Sequence, residues 1–426
     1  MPVSWYGFNK AYKPFHAEFC KIKIPTTASG GVFLMFMIPH QIKRRRITPS
    51  SQATGYHKQM ITIIGAGPVG SHCAKLLSKA GHEVRIFEEH NQIGRPVHCT
   101  GIVTKSLSET IPLKKEWIIN KLKRVRVHAP NGKTVEIKID DIVLDRTRFD
   151  HGIAESAEKA GTKIFSNSRL ENITRTKAGT KIKIMDTETK KTGIIRTETL
   201  IGADGANSLV AKMLGNRTDF WTGVQAIADV ECERDTYEVY FGDDIPGFFG
   251  WMVPENETTA RIGIATTKNP RKVFDNFIKR FDCKILEMQG GLIPKYDPKR
   301  IIQREGIFAV GDAATQVKAT TGGGLVPGLK AAECLAMAID RNKDYKKELS
   351  QVERELKTSL LLRNILDRFN DKDYNELVQM LNNKNIKELL NKEDRDKPSR
   401  IVFKSIIKQP KLLLFARTLL RASRVN

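Results

Sequence analysis

The sequence predicts a mixed α/β fold in which a Rossmann-like nucleotide-binding domain is joined to a β-rich second domain and a helical C-terminal region. Three observations predict it: a glycine-rich turn between apolar strands near residue 65, short strand-like runs over 216–300, and charged helical patterning after residue 345. The chain has 426 residues, of which 40% are hydrophobic and 28% are charged. That length is enough for two or three domains with a large core.

The net charge of +23 is concentrated at the two ends of the chain. Residues 1–59 carry nine Lys or Arg residues against one acid, and residues 396–426 carry eight against one acid. Such a charge favours an anionic partner. No zinc pattern or RNA-binding signature accompanies it, so we expect no nucleic-acid partner. The six cysteines are scattered without a C-x-x-C pair, which indicates a reducing, cytoplasmic compartment and argues against disulfides and a metal site.

Residues 1–58 combine a short apolar run with a KRRR cluster. The run is shorter than the roughly 18 residues that a membrane span requires, and no small-residue cleavage site follows it. A signal peptide is therefore the less favoured interpretation. We expect a disordered basic extension, or the product of a start site assigned too early.

The first nucleotide signature spans residues 60–89, MITIIGAGPVGSHCAKLLSKAGHEVRIFEE. An apolar strand enters Gly65-x-Gly67-x-x-Gly70, a helix follows, and a second strand ends before Glu88. In this context Gly65 makes the tight turn, Gly67 lets the backbone approach a pyrophosphate, and Gly70 lets helix and strand lie close together. The helix N-terminus favours phosphate, and Glu88 is placed to accept hydrogen bonds from adenosine ribose. This motif alone does not separate NAD from FAD.

A second signature, AVGDAATQVKATTGGGL, spans residues 309–325. A strand runs into Asp312, whose carboxylate can accept hydrogen bonds from the ribitol of FAD. The glycines 322–324 then allow close backbone approach to the flavin ring. The helix that begins near Leu325 directs its positive end at the ring, which favours the reduced, negatively charged flavin. Together the two signatures predict an FAD-binding Rossmann-like domain.

These motifs resemble the FAD-dependent aromatic-hydroxylase superfamily. LIGADGANS at residues 200–208 matches its middle motif, and LDRTRFD at residues 144–150 matches the segment whose first arginine, Arg146, contacts the cofactor. Two narrower stretches, IGRPVHCTGIV at 93–103 and FFGWMVP at 248–254, resemble the geranylgeranyl reductase family, especially its archaeal digeranylgeranylglycerophospholipid reductases.

The resemblance extends from residue 60 to about residue 345 and implies a set of cofactor contacts. Besides the three glycines of the first signature, the implied contacts are Val69, Glu88, Cys99, Thr100, Gly101, Arg146, Leu170, Asp312, Gly324 and Leu325. The place of Leu170 in this set depends on spacing alone. The substrate motif of the family has Tyr, then Trp two residues later, then Phe-Pro. This chain keeps the Trp and the Pro but has Phe249 and Val253 in place of the Tyr and Phe, and Phe249 and Trp251 are the expected substrate contacts.

The reaction implied by the resemblance is hydrogenation of isolated C=C bonds in geranylgeranyl chains of membrane lipid precursors, with hydride from reduced flavin. An isolated alkene is not polarised, so the site also needs a proton source and an apolar tunnel. Cys99 is a candidate proton donor or relay, with a small residue packed against the flavin as the alternative. Trp251 would line the tunnel or, alternatively, lie in the core of a sheet. The catalytic residue itself stays unassigned.

The C-terminal stretch at residues 399–424 carries basic residues at helical spacing, and Pro410 is expected to divide it into two helices. A basic amphipathic segment suits an anionic membrane surface, whereas a helical hairpin packed on the core is the alternative. We expect a monomer that associates peripherally with a membrane. The expected divisions of the chain are an FAD-binding domain at 59–125, 146–215 and 301–345, a β-rich substrate domain at 126–145 and 216–300, and a helical basic region at 346–426.

Two other functions stay open because the same FAD scaffold supports several chemistries. One is a monooxygenase or halogenase that acts on a small aromatic, although the halogenase motif has a second Trp where this chain has Phe249. The other is a non-catalytic flavin-binding or RNA-associated basic protein. No second glycine-rich βαβ unit marks an NAD(P)H site, so NAD(P)H and ferredoxin are both candidate electron donors.

Overall fold

The computed structural model describes residues 59–176 and 179–421. The expectation for residues 1–58 and the prediction that Arg424 belongs to a basic helix lie outside these residues. The strands are β1 Met60–Ile64, β2 Glu83–Phe87, β3 Ile102–Thr104, β4 Ile118–His128, β5 Thr134–Leu144, β6 Lys163–Phe165, β7 Ser168–Thr176, β8 Gly179–Asp186, β9 Thr192–Thr197, β10 Thr199–Gly202, β11 Phe220–Asp229, β12 Thr236–Tyr240, β13 Gly250–Pro254, β14 Thr259–Thr266, β15 Lys284–Pro294, β16 Gln303–Arg304 and β17 Ile307–Ala309.

Five of the α-helices in the described residues begin at a polar residue whose side chain caps the helix, namely α3, α4, α7, α9 and α10. Asp145 accepts a hydrogen bond from the Arg148 N–H at 3.0 Å, and Asn370 and Asp373 form a capping box. The α-helices are α1 Pro68–Lys79, α2 Leu107–Thr110, α3 Arg146–Glu158, α4 Leu209–Met213, α5 Pro270–Ile278, α6 Leu325–Asp340, α7 Tyr345–Glu348, α8 Ser350–Leu366, α9 Asp371–Leu381, α10 Lys384–Leu390 and α11 Pro398–Lys408. Short 3₁₀ segments occupy Lys115–Trp117, Gly311–Ala314 and Pro410–Leu420.

Among the described residues, a six-stranded sheet has the order β16-β17-β10-β1-β2-β6. Strand β1 pairs in parallel with both β10 and β2, and β10 pairs in parallel with β17. Four of the five residues of β1 are buried, as expected of a parallel strand covered on both faces. Because the carboxyl ends of parallel strands share one edge, the turn after β1 and the loop after β17 meet there. This sheet is the predicted Rossmann-like element.

A second sheet of eight strands has the order β15-β11-β14-β13-β12-β4-β5-β3 within the described part of the chain. Its pairs are antiparallel except for β12 with β4. Along β13 the side chains alternate between two faces, since Trp251 and Val253 lie in one apolar cluster and Met252 lies in another with Phe277 of α5. The first cluster also receives Val378 of α9, so the C-terminal helices cover that face of the sheet.

The sheets divide the chain differently from the predicted domain boundaries. Strands β3 and β4, at 102–104 and 118–128, belong to the eight-stranded sheet, although the segment 59–125 was expected in the cofactor domain. The reason is that β4 and β5 pair along their length as one long hairpin, which the local sequence pattern does not reveal. A three-stranded sheet, β7-β8-β9, packs against the first sheet, since Ile173 and Ile182 share an apolar core with Ile61 of β1. These three strands were not predicted. They occupy much of residues 146–215, which the sequence analysis assigned to the FAD-binding domain.

The C-terminal region is helical, as predicted. Helix α11 ends at Lys408, and the following Pro410 begins a 3₁₀ segment rather than a second α-helix. The proline lacks an N–H for continuing the helix, which explains the break. None of the helices in the described ranges is long and apolar enough to cross a membrane.

Candidate functional site

The turn between β1 and α1 has the geometry that its three glycines predict. Gly65 has φ +99°, and a Cβ there would lie 2.4 Å from the Ala203 carbonyl oxygen. A Cβ on Gly70 would lie 2.1 Å from the Gly65 oxygen, so helix and turn touch. In contrast, no described atom lies within 4 Å of a Cβ built on Gly67. Gly67 therefore faces open space at the helix N-terminus, where a diphosphate could approach the backbone.

The carboxylate of Glu88 lies directly after β2 at the edge of this turn. One oxygen accepts a hydrogen bond from the Ala66 N–H at 2.8 Å, and the other lies 2.7 Å from His90 Nδ1 and accepts from the His90 N–H at 3.0 Å. Although burial acts to raise the pKa of Glu88, these hydrogen bonds lower it below its usual value. The anionic carboxylate is thus fixed beside the turn, and its contact with a ribose stays a prediction.

The loop that follows β17 meets the first turn of α1. A Cβ on Gly311 would lie 3.0 Å from Val69 Cγ1, so the two signatures adjoin in space although these two residues are 242 positions apart in the sequence. A Cβ on Gly324 would lie 2.6 Å from an oxygen of the Asp312 carboxylate, which therefore points at the N-terminus of α6. No hydrogen bond to that carboxylate is present among the residues described, so it is a free acceptor.

Arg146 brings the predicted residues Asp312 and Cys99 into one electrostatic cluster. Its guanidinium donates to Asp150 from Nε at 2.9 Å and from Nη2 at 2.8 Å. Burial acts to lower the pKa of Arg146, but Asp150 and Cys99 outweigh burial and raise it. Burial raises the pKa of Asp312, and the charge of Arg146 opposes that rise. Arg146, which is paired with Asp150, therefore places a positive charge near the partly buried Asp312.

The segment of Cys99, Thr100 and Gly101 is held by its backbone. Arg261 donates from Nη1 to the Thr100 carbonyl oxygen at 2.8 Å, and the Gly101 N–H donates to Cys99 Sγ at 3.3 Å. Thr100 Oγ1 donates to Gln225 Oε1 at 3.2 Å. The thiol of Cys99 is thus placed near Arg146 by a rigid loop.

An aromatic face, formed by Trp221, Phe248, Phe249 and Trp251, lies beside the glycines of the second signature. Phe248 and Phe249 are stacked at 4.4 Å between centroids, and Trp221 lies 4.9 Å from Phe248. A Cβ on Gly322 would lie 3.4 Å from the Phe248 ring. Trp251 is 9% exposed and donates from Nε1 to Gln225 at 3.2 Å. Phe249 is partly buried, whereas Trp251 lies in the apolar core of the second sheet, as the alternative interpretation expects. The contact of either residue with a substrate stays a prediction.

The cofactor loop, residues 315–324, is tied to the C-terminal region by a clasp centred on the Asp396 carboxylate. Lys318 of the loop donates to the Asp396 carboxylate, which also accepts from Thr104 and Ser106. The side chains of Asp396 and Lys318 are 3% and 12% exposed. Lys318 and the two hydroxyls lower the pKa of Asp396 far below its usual value, against the effect of burial. The carboxylate is thus anionic and fully engaged.

Two predicted contacts have less room for a cofactor. Leu170 of β7 is 9% exposed, and its side chain lies in the main apolar core. Leu325 begins α6 and packs against a smaller apolar cluster with Phe149. Their contact with FAD through backbone atoms stays a prediction.

Sequence reasoning missed three residues that hold the site together. Gln225 is 4% exposed and accepts hydrogen bonds from both Thr100 and Trp251. Gln225 could have been noticed in the sequence, because it is a polar residue within the apolar strand VQAIADV. Lys318 lies inside the second signature, so its position near the cofactor loop could be recognised from the sequence. Nothing in the local sequence marks Asp396, 78 positions away, as its partner.

FAD fits the cradle that these residues form. Gly67 leaves open space where a diphosphate would lie, and the Asp312 carboxylate is an acceptor without a donor among the described residues, as ribitol hydroxyls require. Gly324 keeps the carboxylate close to the N-terminus of α6. The assignment of individual residues as FAD contacts stays a prediction.

Comparison with known proteins identifies the cofactor class. Residues 58–274 match the FAD binding domain family. A digeranylgeranylglycerophospholipid reductase of Methanosarcina acetivorans is 30% identical over 361 residues, which cover 75% of this chain and 88% of the relative.

Two solved structures share the fold. A geranylgeranyl bacteriochlorophyll reductase-like protein of Thermoplasma acidophilum has a TM-score of 0.73 at 22% identity, over 85% of this chain and 99% of the other. A myxobacterial chondrochloren halogenase has a TM-score of 0.60 at 14% identity, over 82% and 96% of the two chains. The predicted α/β fold, FAD and the resemblance to geranylgeranyl reductases are confirmed. The chain therefore belongs to the FAD binding domain family and to the digeranylgeranylglycerophospholipid reductase family, and it is an FAD-dependent oxidoreductase.

Proposed function

We propose that this protein hydrogenates isolated C=C bonds of geranylgeranyl chains in membrane lipid precursors. The observation that carries the proposal is the 30% identity, over three quarters of the chain, to a digeranylgeranylglycerophospholipid reductase. The aromatic face gives further support, because its partly buried member Phe249 offers an apolar contact of the kind that a prenyl chain needs. Burial of such a chain contributes about 0.8 kcal/mol per CH₂ group.

Bound FAD, when reduced, supplies hydride for such a reaction. The residues of this chain have other tasks. Gly67, Glu88 and Asp312 would bind and orient the cofactor, and the aromatic face would exclude water from the alkene. Cys99 is the candidate proton donor or relay, because the Gly101 N–H and the Arg261 contact to Thr100 hold its loop in place.

The C-terminal region supports peripheral attachment to an anionic membrane. Leu413 and Leu420 are 53% and 90% exposed, and the side chains of Lys411 and Arg417 are exposed as well. Each basic residue near an anionic surface contributes about 1 kcal/mol. Other basic residues of the tail pair with acids of the body, as Arg400 does with Glu393 at 3.0 Å. The segment therefore combines body contacts with an exposed apolar and basic surface.

An anaerobic assay tests the reductase function. Dithionite-reduced protein is incubated with digeranylgeranylglycerophospholipid, and the lipid is analysed by mass spectrometry. We expect the mass to rise by one H₂ for each saturated bond. Oxygen-dependent modification of an aromatic compound, with no change in any prenyl lipid, would favour the monooxygenase or halogenase alternative. Replacing dithionite by NADPH or by reduced ferredoxin then identifies the electron donor.

Vesicle sedimentation tests the membrane proposal. We expect the protein to sediment with vesicles rich in anionic lipid and not with zwitterionic ones. Leu420→Asp should weaken sedimentation. Ile194→Asp is the matched control, because Ile194 is 73% exposed on β9, away from the tail. Equal binding of both variants would exclude the tail as the membrane contact.

A further inference from the structure

A cluster of buried hydrogen-bond donors is formed by Arg363 of α8 and by Trp221 of the aromatic face. Arg363 of α8 has a side chain that is 2% exposed, and only its Nε is hydrogen-bonded, to Asp367 Oδ1 at 2.7 Å. Both Nη atoms of Arg363 are buried without a partner among the described residues, as is Nε1 of Trp221. Buried polar groups in native proteins almost always have partners. The unmatched groups here are all donors, which indicates a missing acceptor.

The cluster has a net positive charge and a side open to solvent. The Arg363 guanidinium lies 5.6 Å from the Phe248 ring centroid, and the half-buried Lys295 has its Nζ 5.2 Å from the Trp221 ring. Burial and Arg363 lower the pKa of Lys295, while Asp367 and Asp219 oppose that shift. Two further ionisable groups lie near the cluster. Tyr374 interacts with Arg363, which acts to lower the pKa of the Tyr374 phenol against the effect of burial. Arg368 acts to lower the pKa of Asp367.

We propose that Arg363, Lys295 and Trp221 form a subsite for an oxyanion, in chemical class a phosphate group. A phosphate supplies several acceptor oxygens, and the fork of Nη atoms suits two of them at once. Lys295 is the half-buried member of the subsite, so we expect the anion to enter past its side chain. Asp367 competes with the anion for Arg363, which limits the affinity.

The subsite adjoins the place where the substrate is proposed to bind. Phe248 contacts Arg363 on one side and the cofactor-loop residue Gly322 on the other. A phosphate at Arg363 would therefore anchor one end of a lipid whose apolar chain lies along the aromatic face. This reading rests on the proposed lipid function. Free inorganic phosphate offers the same chemistry, so the two sources need separate tests.

Phosphate binding is measured without any lipid, by thermal unfolding of the FAD-loaded protein in increasing inorganic phosphate at constant ionic strength set with chloride. We expect phosphate to raise the melting temperature of the wild type. Arg363→Met should weaken phosphate binding about tenfold or more, because a charge-assisted bidentate contact is lost. Arg341→Met is the matched control, since Arg341 is exposed at the end of α6 and should behave as wild type.

Two further variants keep the test decisive if Arg363→Met does not fold. Lys295→Gln should weaken phosphate binding, whereas Asp367→Asn should strengthen it by removing the competing carboxylate. No phosphate-dependent stabilisation in the wild type, or equal stabilisation in all of these variants, would overturn the proposal. A purely structural role for Arg363 does not predict tighter binding in Asp367→Asn.

The source of the phosphate is decided by kinetics. If a lipid headgroup binds, Lys295→Gln raises the KM for digeranylgeranylglycerophospholipid and leaves the KM for digeranylgeranylglycerol, which lacks the phosphate, unchanged. If free phosphate alone binds, the two KM values are unchanged while the thermal effect is still lost. A wild-type protein that reduces neither lipid would refute the proposed function, and the thermal result would stand on its own.

Discussion

Replacing Asp396 by Asn tests whether the clasp holds the cofactor loop in place. The carboxylate is 3% exposed and accepts hydrogen bonds from Lys318, Thr104 and Ser106, so one side chain joins three distant segments. Asn keeps the size and an acceptor oxygen for the hydroxyls. It removes the negative charge, so Lys318 loses its counter-ion.

The expected loss of stability follows from burial. Removing one partner of a buried ion pair costs about 3–5 kcal/mol. Lys318 is 12% exposed and can regain some hydration, and Asn preserves the hydroxyl contacts. We therefore expect a loss near the lower end, about 3 kcal/mol. A loop that must be ordered again on binding should also raise the FAD dissociation constant, by about tenfold for each 1.4 kcal/mol.

Urea unfolding and FAD titration of the refolded apoprotein measure these two effects. A double-mutant cycle with Lys318→Met isolates the pair, because the double variant leaves no buried charge unmatched. We expect a coupling energy of about 2–3 kcal/mol. Asp140→Asn is the matched control, since Asp140 makes the same kind of pair with Lys105 at the surface, where its side chain is 76% exposed. That control should change stability by less than about 1 kcal/mol.

The pH dependence gives an independent check with a definite sign. The pKa of Asp396 is lowered in the folded protein. Its stabilising contribution is therefore fully present above the unfolded value, near pH 4, and is lost as the pH falls below that value. Asp396→Asn should flatten the stability curve below about pH 4. A coupling energy near zero, together with an unchanged FAD dissociation constant, would refute the idea that the clasp positions the cofactor loop.

Three further predictions follow from contacts at the site. Gly67→Ala should fold normally, because no described atom lies within 4 Å of the added Cβ, but an FAD titration should show weaker binding. Gly70→Ala should fail to fold, since its Cβ would lie 2.1 Å from a backbone oxygen. Gly324→Ala should displace the Asp312 carboxylate, 2.6 Å from the new Cβ, and lower FAD content by absorbance without loss of secondary structure. His90→Ala should lose stability below about pH 6.5 but not well above it, because the neighbouring carboxylate raises the pKa of His90; a pH-independent difference in urea unfolding would contradict this.

The local sequence was sufficient to predict the elements of the nucleotide-binding motif. The β1-turn-α1 unit was predictable because Gly65 must adopt a positive φ, Gly70 must lie against the turn, and Pro68 begins the helix. Strand β2 and the start of α6 at Leu325 were readable from apolar patterning and glycines. These features depend on turn chemistry and side-chain periodicity within a few residues, so the sequence displays them directly.

Tertiary structure alone decided how these elements are joined. The assignment of β4 to the second sheet depends on its pairing with β5 and β12, and the clasp depends on contacts such as Asp396 to Thr104 across 292 positions. The free donors of Arg363 likewise became apparent only when α8 was placed over Phe248. A sequence pattern records which side chains are apolar, charged or small. Which distant side chain neutralises a buried charge depends on chain topology, because that partner is chosen by packing and not by proximity in sequence.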